Sequence, residues 1–150
     1  MNAVDTNILV YAIDDGQPVK QPLAKALIAG LTQQPAQTRL IWQVATEFLQ
    51  VLRRWQAQGR IDTQRVDEEF EDVLELFDLV LPTPATLQVS RRLVARYSLS
   101  HWDSLLLAAC IEAGVDTLYS EDMGDGVVYD SVTVINPLKP PARDKPSAAN

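Results

Sequence analysis

Asn2-Ala3-Val4-Asp5-Thr6-Asn7-Ile8-Leu9-Val10-Tyr11-Ala12-Ile13 opens the chain with a very short apolar piece, an acid, and a longer apolar piece. Asn2–Val4 reads as a short strand ending at Asp5, and Ile8–Ile13 as a helix or turn behind it. A strand that runs straight into a helix is the repeating unit of a parallel sheet, because parallel neighbours need a long crossover. The same alternation continues outward from this stretch. Pro22–Leu31 has helical periodicity, with Pro22 in a first turn where its missing N–H does no harm. Thr38–Ile41 is a second strand. Gln43–Gln58 is a helix stopped by Gly59, since Val44, Phe48, Val51, Leu52 and Trp55 form one apolar stripe.

Asp62–Glu75 forms a further helix, with Asp62 as N-cap and acids in its first turns. Phe77–Leu81 is a third strand, ended by Pro82, and Pro84–Tyr97 is helical again. Trp102–Ala113 is almost wholly apolar and is expected to be buried on most sides, with Gly114 as its stop. Thr117–Tyr119 and Ser131–Ile135 supply a fourth and a fifth strand. The reading is therefore an α/β three-layer sandwich, with a mainly parallel five-stranded sheet flanked by helices over residues 1–137. No repeat or linker divides it. The stretch 138–150 holds Pro140, Pro141 and Pro146 among small and charged residues, and is expected to be a disordered tail.

At 150 residues the chain fits one domain with a sizeable core, and 47% hydrophobic against 22% charged residues is ordinary for a globular protein. No apolar run approaches the ~20 residues of a membrane span. The opening has no basic leader and its apolar run is short, so no signal peptide is expected and the chain is read as cytoplasmic. The lone Cys110 sits in an apolar helical pattern and reads as a small core residue. Net charge is −7, the wrong sign for gripping a polyanion through a general field. Either the partner is not a nucleic acid, or the acids are concentrated where they hold divalent cations.

Four acids decide between these. Asp5 falls where a strand ends, the edge at which α/β sheets bind ligands; capping the next helix is the competing role. Glu47 lies on or beside the apolar stripe of its helix, where an unpaired carboxylate costs several kcal/mol unless it is neutralised or bound. Asp103 shares a face with Leu106, Leu107 and Cys110 at the start of the most apolar helix, and Ser100-His101-Trp102-Asp103 also fits a capping box. The loop Ser120-Glu121-Asp122-Met123-Gly124-Asp125-Gly126 leaves a strand at the same edge as Asp5. Asp122 is the fourth candidate, with Glu121 and Asp125 as alternates. Such acids repel and raise one another's pKa values, a conflict that a hard cation with oxygen ligands resolves. Mg²⁺ or Mn²⁺ suits such a cage. His101 and Cys110 are the chain's only residues of their types, so zinc is not supported, and His101 reads as a packing or surface residue.

The residues Val4-Asp5-Thr6-Asn7-Ile8-Leu9, a mid-chain Glu47, Leu99-Ser100-His101-Trp102-Asp103-Ser104-Leu105, and Leu118-Tyr119-Ser120-Glu121-Asp122 occur in that order. Together they resemble the PIN-domain ribonucleases, in particular the VapC-type toxins of toxin–antitoxin pairs. The resemblance covers about residues 1–137. It implies Mg²⁺- or Mn²⁺-dependent cutting of RNA, a homodimer, and inhibition by a small cognate antitoxin. It also implies that Asp5, Glu47 and Asp103 are the principal acids, that Asp122 matches the more variable fourth position, and that Thr6, Asn7 and Ser120 support them. Arg53, Arg54, Arg60, Arg91, Arg92 and Arg96 are candidates for gripping the RNA backbone, with ion pairing to acids as the alternative. An antitoxin is expected to lay an extended or helical segment into a groove, for which Trp42, Trp55 and Trp102 are candidate walls.

Three rival readings weigh less. A haloacid-dehalogenase-like phosphatase wants a second Asp two residues after the first, where this chain has Asn7. A receiver-like phospho-acceptor needs a late lysine, and none occurs between Lys25 and Lys139. A catalytically silent interaction module has no physical reason to keep four mutually repelling acids.

Overall fold

Parallel pairing on both sides fixes the opening strand. The computed structural model describes residues 1–139. In it β1 (Asn2–Val4) lies beside β2 (Thr38–Ile41), with Asn2 opposite Thr38, and beside β4 (Thr117–Tyr119), with Val4 opposite Tyr119. β3 (Asp78–Val80) continues the sheet beyond β2, and β6 (Val132–Ile135) beyond β4, both parallel. The order is β3-β2-β1-β4-β6-β5. The chain thus builds outward from β1 in one direction and later in the other. The β1/β4 junction is the switch point of the sheet, and a crevice forms outside the carboxyl ends of strands at such a point.

One strand exceeds the sequence expectation. β5 (Val128–Tyr129) pairs antiparallel with β6 and makes the sheet six-stranded rather than five-stranded. At two residues it is too short for alternation of apolar and polar positions to register. Six α-helices flank the sheet: α1 (Thr6–Ile13), α2 (Lys20–Leu31), α3 (Trp42–Ala57), α4 (Thr63–Leu76), α5 (Pro84–Tyr97) and α6 (His101–Glu112). α1 begins at Thr6, earlier than expected, because the Asp5 side chain accepts the Thr6 N–H and starts the helix at once. Asp62 caps α4 as read from sequence, its Oδ1 accepting the Arg65 N–H at 2.8 Å.

The core is continuous. Val4, Ile8 and Leu9 meet Leu40, Ile41, Val44, Phe48 and Leu52 from β2 and α3, and Leu107, Cys110, Leu118 and Val134 from the second half. α6 is buried at Ser104 and from Leu106 through Cys110, as its apolar composition predicts. Burying Cys110 among hydrocarbons pushes its thiol pKa up, with the Asp5 charge adding to the effect, which suits a core residue and not a nucleophile. Of the expected tail, Leu138 is buried against the core and Lys139 forms an ion pair with Asp125; the remainder lies outside the described residues. No helix among the described residues is long and apolar enough to cross a membrane.

Candidate active site

Register brings the first two groups together. Because Val4 pairs with Tyr119, the next residue of each strand, Asp5 and Ser120, are neighbours, and the Asp5 N–H donates to the Tyr119 carbonyl at 2.8 Å. Asp5 is only 9% exposed. Its Oδ1 accepts the Thr6 N–H at 2.7 Å and its Oδ2 accepts the Ser120 hydroxyl at 2.7 Å. Capping and site-building are therefore both done by one carboxylate. Ser120 also accepts the Asp122 N–H at 3.1 Å, so a single hydroxyl locks the acid of β1 to the loop after β4.

Burial pushes the Asp5 pKa up to about 6. The Ser120 and Thr6 hydrogen bonds oppose that rise, while the negative charges of Glu47 and Asp122 add to it. These three acids thus act on one another even though they come from β1, α3 and a late loop. Glu47 is half-buried, and both of its oxygens are held: Oε2 accepts the Thr6 hydroxyl at 2.9 Å and Oε1 the Gln43 amide at 3.0 Å. Asp122 accepts the Asn7 amide at 3.1 Å. The oxygen of the same amide, Asn7 Oδ1, is buried and has no hydrogen-bond partner among the described residues.

The loop alternates resolve on geometry. Glu121 accepts hydrogen bonds from the Tyr11 hydroxyl and from Lys20 Nζ; burial pushes its carboxyl pKa up, but these two bonds, with the Lys20 charge, outweigh that and hold it below the usual range. Asp125 is occupied by the Asn136 N–H at 2.8 Å and Lys139 at 2.7 Å. Of the three, only Asp122 faces Asp5. Asp103 sits in the first turn of α6. The Ser100 hydroxyl accepts its N–H at 3.2 Å, while among the described residues no hydrogen bond reaches its carboxylate. The capping box read from sequence is thus half made. Gln43 ties this helix start to the site, donating to the Trp102 carbonyl at 3.2 Å as well as to Glu47.

Gln43 went unread in the sequence, although its place four residues before Glu47 puts both on one helix face. Tyr11 and Lys20 gave no signal, since Lys20 meets Glu121 across 101 residues of chain. His101 is exposed and stacks edge to face on Trp102, as a surface residue. Among the described residues, no group of three or more His, Cys, Asp or Glu side chains is gathered closely enough to hold a metal ion. The donor set is nevertheless all oxygen. The buried Asn7 Oδ1 without a partner and the uncompensated charge at Asp5 are both what a hard cation would satisfy.

The profile of the PIN domain family matches residues 3–124, which include all four acids. The chain belongs to the PIN-domain family. Solved PIN-type folds resemble it closely in three dimensions and little in sequence. FitAcB from Neisseria gonorrhoeae superposes with a TM-score of 0.67 at 15% identity, covering 91% of this chain and 98% of that one. A toxin–antitoxin complex from Klebsiella pneumoniae gives 0.63 at 19% identity, with 91% and 98% covered. VapC20 of Mycobacterium tuberculosis, described as a toxin cleaving the sarcin-ricin loop, gives 0.62 at 17%, with 81% and 90% covered. Among curated protein sequences none matches this chain.

Two of the candidate arginines of this PIN domain stand away from its acids. Arg92 and Arg96 both pair with Asp130, in the turn between β5 and β6. That turn lies at the end of the sheet opposite Asp5, because β6 starts there and runs parallel to β4. Arg60 pairs with Asp14 at 3.2 Å and stacks over Trp55, and Arg91 donates to Gln88. Arg53 and Arg54 are exposed on α3, beyond Glu47. Trp55 is buried, whereas Trp42 and Trp102 are exposed.

Proposed function

We propose that this PIN domain is a metal-dependent endoribonuclease, the VapC-type toxin of a toxin–antitoxin pair, hydrolysing RNA phosphodiesters at the acids around Asp5. The observation that carries this reading is Asp5. A carboxylate buried at the switch point, facing Glu47 and Asp122, is left with a pKa of about 6, and structural roles alone do not require that arrangement.

Asp5 and Asp103 are read as the principal ligands for Mg²⁺ or Mn²⁺, with Glu47 and Asp122 completing the set or orienting the attacking water. When bound, such a cation supplies positive charge for the developing phosphate charge and acidifies the water. The protein's own residues do the positioning. Ser120 and the Thr6 N–H hold Asp5, the Thr6 hydroxyl and Gln43 aim Glu47, and Asn7 steadies Asp122. Water attacks phosphorus, the bond to the 3′ oxygen breaks, and that oxygen takes up a proton. A cation also explains how a chain of net charge −7 approaches a polyanion.

A protein partner is part of the reading. A solved structure described as a toxin–antitoxin complex shares the fold, and Trp42, Leu81 and Leu87 expose apolar surface of the kind that a cognate antitoxin or the second subunit of a homodimer covers. The test is cleavage of an end-labelled RNA pool by antitoxin-free protein, in Mg²⁺ or Mn²⁺ and in EDTA. Cutting only with the cation, leaving 5′-phosphate and 3′-hydroxyl ends, is expected. Cleavage in EDTA, or 2′,3′-cyclic phosphate ends, would overturn the mechanism. Folded protein that cuts nothing would favour a silent interaction module.

A further inference from the structure

The cavity beside Glu47 extends past the groups that hold the acids, to Thr46, Gln50, Val51 and Trp102, which the cleavage chemistry does not use. About 760 Å³ of space is bounded by Thr6, Gln43, Thr46, Glu47, Gln50, Val51 and Trp102. Gln43, Thr46 and Gln50 follow one another along a single face of α3, and Trp102 stands opposite at the start of α6. Apart from Glu47 every wall is neutral. Two side-chain amides and two hydroxyls face an indole that is 63% exposed.

Resting on the nuclease reading, we propose that this pocket takes one unstacked base of the RNA, next to the scissile phosphate. A phosphate is poorly suited to the walls of this pocket, since no Lys or Arg side chain is among them. A base matches: it offers a neutral π-face to an aromatic ring and an edge of donors and acceptors to amides and hydroxyls. The amides are placed for reading that edge. Gln43 spends its N–H groups on Glu47 and on the Trp102 carbonyl, which leaves its amide oxygen as an acceptor. Gln50 is exposed and supplies both functions. The same two Gln43 bonds join the wall of the pocket to the acid at its floor, so a base seated here places its phosphate at the carboxylates. A base stacked in a duplex cannot enter this pocket.

The test uses full-length, antitoxin-free protein, with randomised single-stranded RNA for cleavage and a short oligonucleotide for binding. RNA is expected to quench tryptophan fluorescence in the wild type, and Trp102→Phe, which removes this indole, to lose most of that quenching. Trp102→Ala should raise the RNA concentration for half-maximal cleavage on the order of 10- to 100-fold, the range for one stacked base, with Trp102→Phe recovering most of it. Gln50→Ala should relax the base preference at one position beside the cut and slow cleavage of RNA that carries the preferred base there. Both residues are exposed, so folding is not at stake. Wild-type cleavage unaffected in rate, concentration dependence and preference by Trp102→Ala and Gln50→Ala would overturn the pocket and leave the nuclease reading standing. Quenching lost in Trp102→Phe, in a protein that cuts nothing, would do the reverse. Trp102→Ala that spoils only self-association or antitoxin binding assigns this ring to a protein interface and overturns the proposal.

Discussion

Replacing Asp5 with Asn removes a buried charge while keeping the shape of the group. The magnitude follows from the folded pKa. Moving a carboxyl from its ordinary 3.8 to about 6 means that the folded state prefers the protonated form, by about 3 kcal/mol. The sign is then fixed: the preference stabilises the fold fully below about pH 4, and is lost as pH rises through about 6. Above that, the wild type carries an ionised, buried Asp5 that Asp5→Asn lacks. The amide keeps an acceptor for the Thr6 N–H, but Ser120 must now accept where it donated. That rearrangement shifts the variant's stability by an amount independent of pH, so the pH dependence of the difference isolates the charge. Between about pH 4 and pH 7.5 in EDTA, Asp5→Asn should gain about 2 kcal/mol on the wild type. Urea denaturation followed by the fluorescence of buried Trp55 at several pH values measures it. Mg²⁺ added at the upper pH should close part of the gap by stabilising only the wild type. A difference that stays flat with pH, or that moves against Asp5→Asn as pH rises, would refute the argument that Asp5 is charged, buried and uncompensated.

Ser120→Ala removes the hydroxyl shared by Asp5 and Asp122 and leaves buried groups without partners, so it should cost about 1–3 kcal/mol in denaturant melts and most of the cleavage activity. Lys20→Met breaks the half-exposed bridge to Glu121; stability should fall by no more than about 1 kcal/mol, while amide exchange over residues 120–126 rises. Arg96→Ala, which loses a surface bond to Asp130 at the far end of the sheet, should leave RNA cleavage within about twofold and stability within about 1 kcal/mol. Phe48→Ala opens a cavity beneath Glu47 and should cost about 3–5 kcal/mol in the same melts.

Much of this fold was legible because its strands and helices alternate in clear apolar blocks. The stripe of α3 followed from periodicity, and the βα opening at Asp5 and the buried α6 from their apolar composition. β5 did not, since a two-residue antiparallel edge strand is specified by its pairing with β6 rather than by its own composition. Position at strand ends and helix starts nominates four candidate acids, but it does not name their partners. Which of Glu121, Asp122 and Asp125 faces Asp5 depends on where Tyr11, Lys20 and Lys139 stand in space. The arginines show the same limit. A cluster such as Arg92 and Arg96 looks alike in sequence whether it binds RNA or pairs with Asp130, and only the topology puts it at the opposite end of the sheet. Leu138 lies past the proline read as the end of the domain, yet tertiary packing buries it.

The most direct test of the acids around Asp5 is anomalous diffraction from crystals of the antitoxin-free protein grown with Mn²⁺. The account predicts a peak in contact with Asp5 and within reach of Glu47, Asp103 and Asp122, absent from Asp5→Asn crystals. A Mn²⁺ peak elsewhere, or none in a protein that still cleaves RNA, would contradict it.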